Sequence, residues 1–192
     1  MERNIIPEWN IDGVLPPINK VSPTSISRSP YSISLSDFIF RFGNTSHRKD
    51  RIRGYLRFRS ELHKLGLVNG FQWVNGSFLE NIEDTEKRDP HDIDIVTFYH
   101  SPDGKTQNSL YESNPTLFTP NITKLEYKVD AYFTQLDHSS PEYLVKWSTY
   151  WYSIWSHRRD GLWKGFVQID LSDKEDDDAM SILEKRNRED TL

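Results

Sequence analysis

HDIDIVTFY, residues 91–99, alternates acidic with aliphatic side chains and then becomes fully apolar. A period of two in β-branched and aromatic residues predicts a β-strand. Successive strand side chains point to opposite faces, so Asp92 and Asp94 share one face and Ile93 and Ile95 the other. Two carboxylates on one face stand about 7 Å apart along the strand. They raise each other's pKa unless a cation lies between them. Hard oxygen donors of this kind suit Mg²⁺ or Mn²⁺. His91 reads as a polar residue at the strand entrance. A His-Asp metal site borne on helices does not fit this period.

On the N-terminal side, Phe71 to Val74 predicts a short strand running into Asn75-Gly76-Ser77. Gly76 allows a sharp turn and close approach of an anion to the backbone. A strand that ends in Gly-Ser before a helical turn offers N–H groups and a hydroxyl to phosphate oxygens. On the C-terminal side, residues 101–123 are rich in Pro, Gly, Asn and Ser and read as a long surface excursion. LEYKVDAYFTQ, 125–135, follows as a third strand. In it Val129, Ala131 and Phe133 share an apolar face, and Lys128, Asp130 and Tyr132 the opposite one. If this strand lies beside the first, Asp130 completes a three-carboxylate cage able to hold two metal ions for phosphoryl transfer.

The flanks supply the rest of a domain. A short helix is expected at 35–42, ending at Gly43. A longer one spans 46–65, capped by Thr45 or Ser46, with Gly66 at the left-handed C-cap. Ile52, Tyr55, Leu56, Leu62 and Leu65 form its apolar face. Lys49, Arg53, Arg57 and Lys64 form a basic strip, either solvated or docking a nucleic-acid acceptor. Ser140-Pro141 begins a helix over 141–157, in which Trp147, Tyr150, Trp151, Ile154 and Trp155 read as core packing. A last strand is expected at 163–171. Residues 1–33 read as an extended arm anchored by Trp9, Ile11, Val14 and Leu15. Residues 172–192 read as a flexible acidic tail or frayed helix in which Asp176, Asp177 and Asp178 are a solvated run. The expected fold is α/β (α+β) over 34–171: a small mixed sheet, helices on one face and an open cleft on the other.

Composition narrows the function. A chain of 192 residues fits one domain with a real core. The absence of cysteine excludes disulfides and thiolate zinc sites and fits a reducing cytoplasm. Neither a leader-like apolar segment nor a span-length run occurs, so no membrane partner is expected. A net charge of −5 argues against a generic nucleic-acid glue.

The order strand, Gly-Ser, Asp-x-Asp on the next strand and a lone Asp on a third resembles the polymerase-beta-like nucleotidyltransferase superfamily. The wider frame is similar to a group of small uncharacterised bacterial proteins of that fold: Gly13-Val14-Leu15-Pro16-Pro17, Arg41-Phe42-Gly43, Arg51 and Gly76-Ser77-Phe78 before Asp92. The resemblance implies phosphate binding at Gly76 and Ser77, and metal binding and catalysis at Asp92, Asp94 and Asp130. It implies Mg²⁺ or Mn²⁺ as cofactor and an NTP as substrate, with RNA, DNA, a protein or a small molecule as acceptor. Members of the superfamily often carry an arginine soon after Gly-Ser, where this chain has Phe78, Leu79 and Glu80. Arg158, Arg159 and Lys164 are then the cations expected on the triphosphate. A catalytically inactive binding or sensor module remains open, as does a metal-dependent nuclease or phosphatase.

Overall fold

Residues 6–189 are described by the computed structural model, with side chains through 185. The strands are β1 (Tyr31–Ile33), β2 (Gly70–Asn75), β3 (Ile93–Tyr99), β4 (Val129–Gln135) and β5 (Val167–Asp170). The helices are α1 (Leu35–Phe42), α2 (Ser46–Lys64), α3 (Ile82–Thr85), α4 (Gln107–Ser113), α5 (Pro120–Tyr127), α6 (Pro141–Trp155) and α7 (Asp176–Glu189). Together they form a mixed α/β fold on one five-stranded sheet of order β1-β5-β2-β3-β4. β1 with β5 and β3 with β4 run parallel, while β2 is antiparallel to both its neighbours.

The alternation in β3 sets which side chains face the core. Val74, Ile95 and Ala131 are aligned across β2, β3 and β4 and are buried. On this face Ile52, Tyr55, Phe58 and Leu62 of α2 are fully buried. A buried polar chain crosses the same layer. The Tyr55 hydroxyl donates to Gln72 Oε1 at 2.7 Å, and Gln72 Nε2 donates to Thr97 Oγ1 at 3.0 Å. Burial pushes the Tyr55 phenol up to about 12, so it stays a donor.

The opposite face carries the cleft and is covered by α6 over part of its length. Trp151 of α6 packs on Tyr132, with ring centroids 4.9 Å apart, and Tyr152 meets Trp73 edge-on at 6.5 Å. Trp151 and Trp155 are buried, whereas Tyr150 and Ile154 are nearly half exposed, so α6 contributes only one side to the core.

The stretch 101–123 is not a plain excursion, and the third strand starts four residues later than expected. Thr119-Pro120 begins α5, with proline in the first turn where its missing N–H costs nothing. Lys128, in the left-handed region at φ 60°, closes α5 and turns the chain into β4. Gly54 lets α5 lie close on α2: a β-carbon there would be 2.0 Å from the Tyr127 carbonyl oxygen. Lys49, expected on the outward basic strip, is buried; Arg57 and Lys64 do face outward.

Of the acidic run expected to be solvated, Asp177 and Asp178 are exposed, but Asp176 is paired. Arg59, 1% exposed, donates from Nε and Nη2 to the two Asp176 oxygens at 2.7 and 2.8 Å and caps the Asp170 and Ser172 carbonyls. This pairing pins α7, and Ala179 and Leu183 complete its buried face. The expected arm is partly sheet, since 31–33 form β1, and its first five residues lie outside the described chain, as do the last three of the tail. Val14 and Leu15 are buried and Trp9 is half-buried, but Ile11 is 98% exposed and anchors nothing. No helix among the described residues is long and apolar enough to cross a membrane.

Candidate active site

Register brings three polar side chains to one row. Asn75 of β2 is paired with Asp94 of β3, and Asp94 with Asp130 of β4. Asp92 lies just before β3 on the same side. These residues line a cleft of about 640 Å³ with Gly76, Ser77, Lys124, Arg158, Arg159 and Lys164. That volume suits a nucleotide-sized ligand. Every site residue expected from the sequence therefore lines one cleft.

Gly76 sits at φ 85°, in the region that disfavours side chains, and its hydrogen faces Asp94. A β-carbon there would be 1.8 Å from Asp94 Oδ2. Burial pushes the Asp94 carboxyl up to about 7, with the Asp92 and Asp130 charges adding to the effect. The charge that most directly answers these acids was not foreseen. Lys124 of α5 places Nζ 2.6 Å from Asp92 Oδ2 and 3.6 Å from Asp130 Oδ2. Its contact with Asp92 holds the ammonium above its ordinary pKa.

Two braces hold the loop after Gly76. The buried Arg48 donates to the Phe78 and Glu80 carbonyls and forks onto Glu83, with Nη2 2.8 Å from Oε2. Phe78 itself is buried against Phe38, 5.8 Å between ring centroids. The hydrophobic residue after Gly-Ser is thus a core anchor. From the arm, the Trp9 indole donates to the Leu79 carbonyl at 2.7 Å, and the Gly13 carbonyl accepts from Asn81 at 2.8 Å. The strand entrance is fixed by Arg51 Nε, which donates to the His91 carbonyl at 2.8 Å.

The expected phosphate cations are placed unequally. Lys164 is buried, its Nζ 2.5 Å from Glu80 Oε1 and 3.4 Å from the Gly76 carbonyl. Its charge is matched, and it braces the turn from below. Arg158 is shared among Glu80, Glu86 and Asp160 at 3.3 to 3.5 Å. Arg159 lines the cleft and is exposed.

The donor set fits a divalent ion in kind, being carboxylate and amide oxygen. Asn75 adds an observation in favour: Nδ2 donates to the Trp155 carbonyl at 2.9 Å, but buried Oδ1 has no partner among the described residues. As they stand, no three carboxylates or imidazoles among the described residues converge into a ready metal cage. Asp92 is engaged by Lys124.

Sequence reasoning missed Lys124, Glu80 and Asn75. For Lys124 a signal existed: Thr119-Pro120 has the same helix-start form as Ser140-Pro141, and a helix there places Lys124 one turn before the Asp130 strand.

The chain belongs to a family of unknown function, DUF6932, whose model matches residues 7–170. No curated protein and no solved structure matches it.

Proposed function

We propose that this member of DUF6932 is a metal-dependent nucleotidyltransferase that moves a nucleotidyl group from an NTP to a hydroxyl acceptor. One observation carries the reading. The Asp94 carboxylate is seated against a side-chain-free turn at Gly76 and faces Asp130 in register, within a cleft of nucleotide size. A phosphate chain laid along Gly76 and Ser77 brings its α-phosphorus to the acids.

Asp94 and Asp130, with Asp92 beside them, would hold the metal, which when bound neutralises charge developing on the phosphoryl oxygens. Asp130 receives the proton of the acceptor hydroxyl. The acceptor oxygen bonds to the α-phosphorus, the bond from that phosphorus to the oxygen bridging to the β-phosphorus breaks, and pyrophosphate leaves. Arg159 meets the β and γ phosphates at the mouth of the cleft. Lys164 fixes the Gly76 carbonyl, and Arg48 fixes the loop behind it.

Thermal unfolding with each common NTP, with and without Mg²⁺, tests the metal–triphosphate site. An NTP that raises Tm only when Mg²⁺ is present, and not in Asp94→Ala, supports it. Stabilisation that ignores the metal supports a non-catalytic nucleotide-binding module instead.

A further inference from the structure

The three acids carry a formal charge of −3, and Lys124 supplies +1 on the spot. One divalent ion brings the cluster to zero, whereas two would leave it at +2 with the acids already spoken for. The geometry agrees with the count. Asp92 is bound to the Lys124 ammonium at 2.6 Å, which leaves Asp94 and the far side of Asp130 for an ion. Asn75 Oδ1, in a residue 3% exposed, lines the same cleft and lacks a partner. It is a third oxygen beside those two.

The helix that carries Lys124 is also held in place by the fold. Gly54 lets α5 pack on α2, Phe58 packs on Tyr127 with ring centroids 5.8 Å apart, and the left-handed Lys128 closes the helix. The Lys124 side chain is half exposed, so the fold fixes its helix and the ion pair with Asp92 places its ammonium.

We infer that Lys124 stands in for one of the two ions a three-acid site can take, so that the free protein binds a single divalent ion, at Asp94, Asp130 and the Asn75 amide oxygen. This rests on the nucleotidyltransferase reading for its purpose, but not for its test. A lysine in that place offsets one of the three negative charges before the nucleotide arrives. An NTP then brings its own charge to acids of which one charge in three is already offset.

The experiment is a Mn²⁺ titration of the full chain followed by electron paramagnetic resonance, which counts bound ions without any turnover. Wild type is expected to bind one ion per chain. Lys124→Met is expected to bind two, and Lys124→Arg, which keeps the charge, to bind one. Asn75→Asp, which adds a carboxylate at the unpartnered oxygen, is expected to tighten the single site at least tenfold. Two ions in wild type, or one in Lys124→Met, overturn the assignment of Lys124 and leave metal-dependent nucleotidyl transfer standing. No Mn²⁺ bound by wild type or by Lys124→Met overturns both.

Discussion

Asp94 Oδ2 occupies the place a side chain would take on Gly76: a β-carbon built there lies 1.8 Å from that oxygen. The turn and the carboxylate are therefore one unit, and neither position is adjustable alone.

Gly76→Ala tests that unit. The left-handed φ of 85° costs about 1–3 kcal/mol for a residue with a side chain, and the methyl group must also displace Asp94. Urea denaturation is expected to show a loss of that size. The Mg²⁺-dependent NTP shift is expected to vanish even where the variant remains folded. A variant that keeps the full shift contradicts the unit.

The Asp94 carboxyl gives a pH signature. Its value of about 7 in the folded chain lies above the ordinary 3.8, so between those pH values the folded state holds a proton that the unfolded state has lost. Metal-free stability therefore falls as pH rises through that window, by a few kcal/mol at most, at up to about 1.4 kcal/mol per pH unit. Asp94→Asn is expected to flatten the metal-free curve relative to wild type, and saturating Mg²⁺ to flatten that of wild type. Parallel curves for the two proteins would exclude a raised Asp94.

Arg59 and Asp176 predict a sharp contrast within one acidic run. Removing Asp176 leaves a buried guanidinium half-unpaired, a change that costs about 3–5 kcal/mol. Asp177 is exposed, and its loss is expected to be nearly neutral. Comparable unfolding midpoints for Asp176→Ala and Asp177→Ala would mean that α7 is not pinned through Arg59.

Gly54→Ala probes the seat of Lys124. Its β-carbon would lie 2.0 Å from the Tyr127 carbonyl oxygen, so α5 must shift, at about 1–3 kcal/mol. Amide hydrogen exchange is expected to speed up across residues 120–127 and to leave α6 unchanged.

The acids and the glycine turn were legible because a strand writes its faces into the sequence with a period of two. Asp92, Asp94 and Asp130 needed only that rule and the guess that β3 and β4 are neighbours. Lys124 was harder to read because α5 has a weakly apolar sequence, and its seat on α2 depends on a glycine 70 positions away. The role of Asp176 was hidden for the same kind of reason. Its partner Arg59 lies 117 residues earlier, and a run of three aspartates looks alike on a docked helix and in solvent. Lys164 is the converse case: its position was found, but the buried Glu80 that neutralises it lies on a loop whose course no local pattern fixes. The partial cover of α6 over the cleft face depends on which of its aromatics turn inward, and all of them look apolar in sequence.

The most direct measurement is transfer itself. Purified protein, α-labelled NTPs, Mg²⁺ and a cell extract are incubated, and covalent label in RNA, protein and small-molecule fractions is followed. Label that needs Mg²⁺, appears with one or more NTPs and is lost in Asp94→Ala and Asp130→Ala is the expected result. Absence of label from every fraction with folded, Mg²⁺-loaded protein, or label undiminished in both variants, would contradict nucleotidyl transfer at this site.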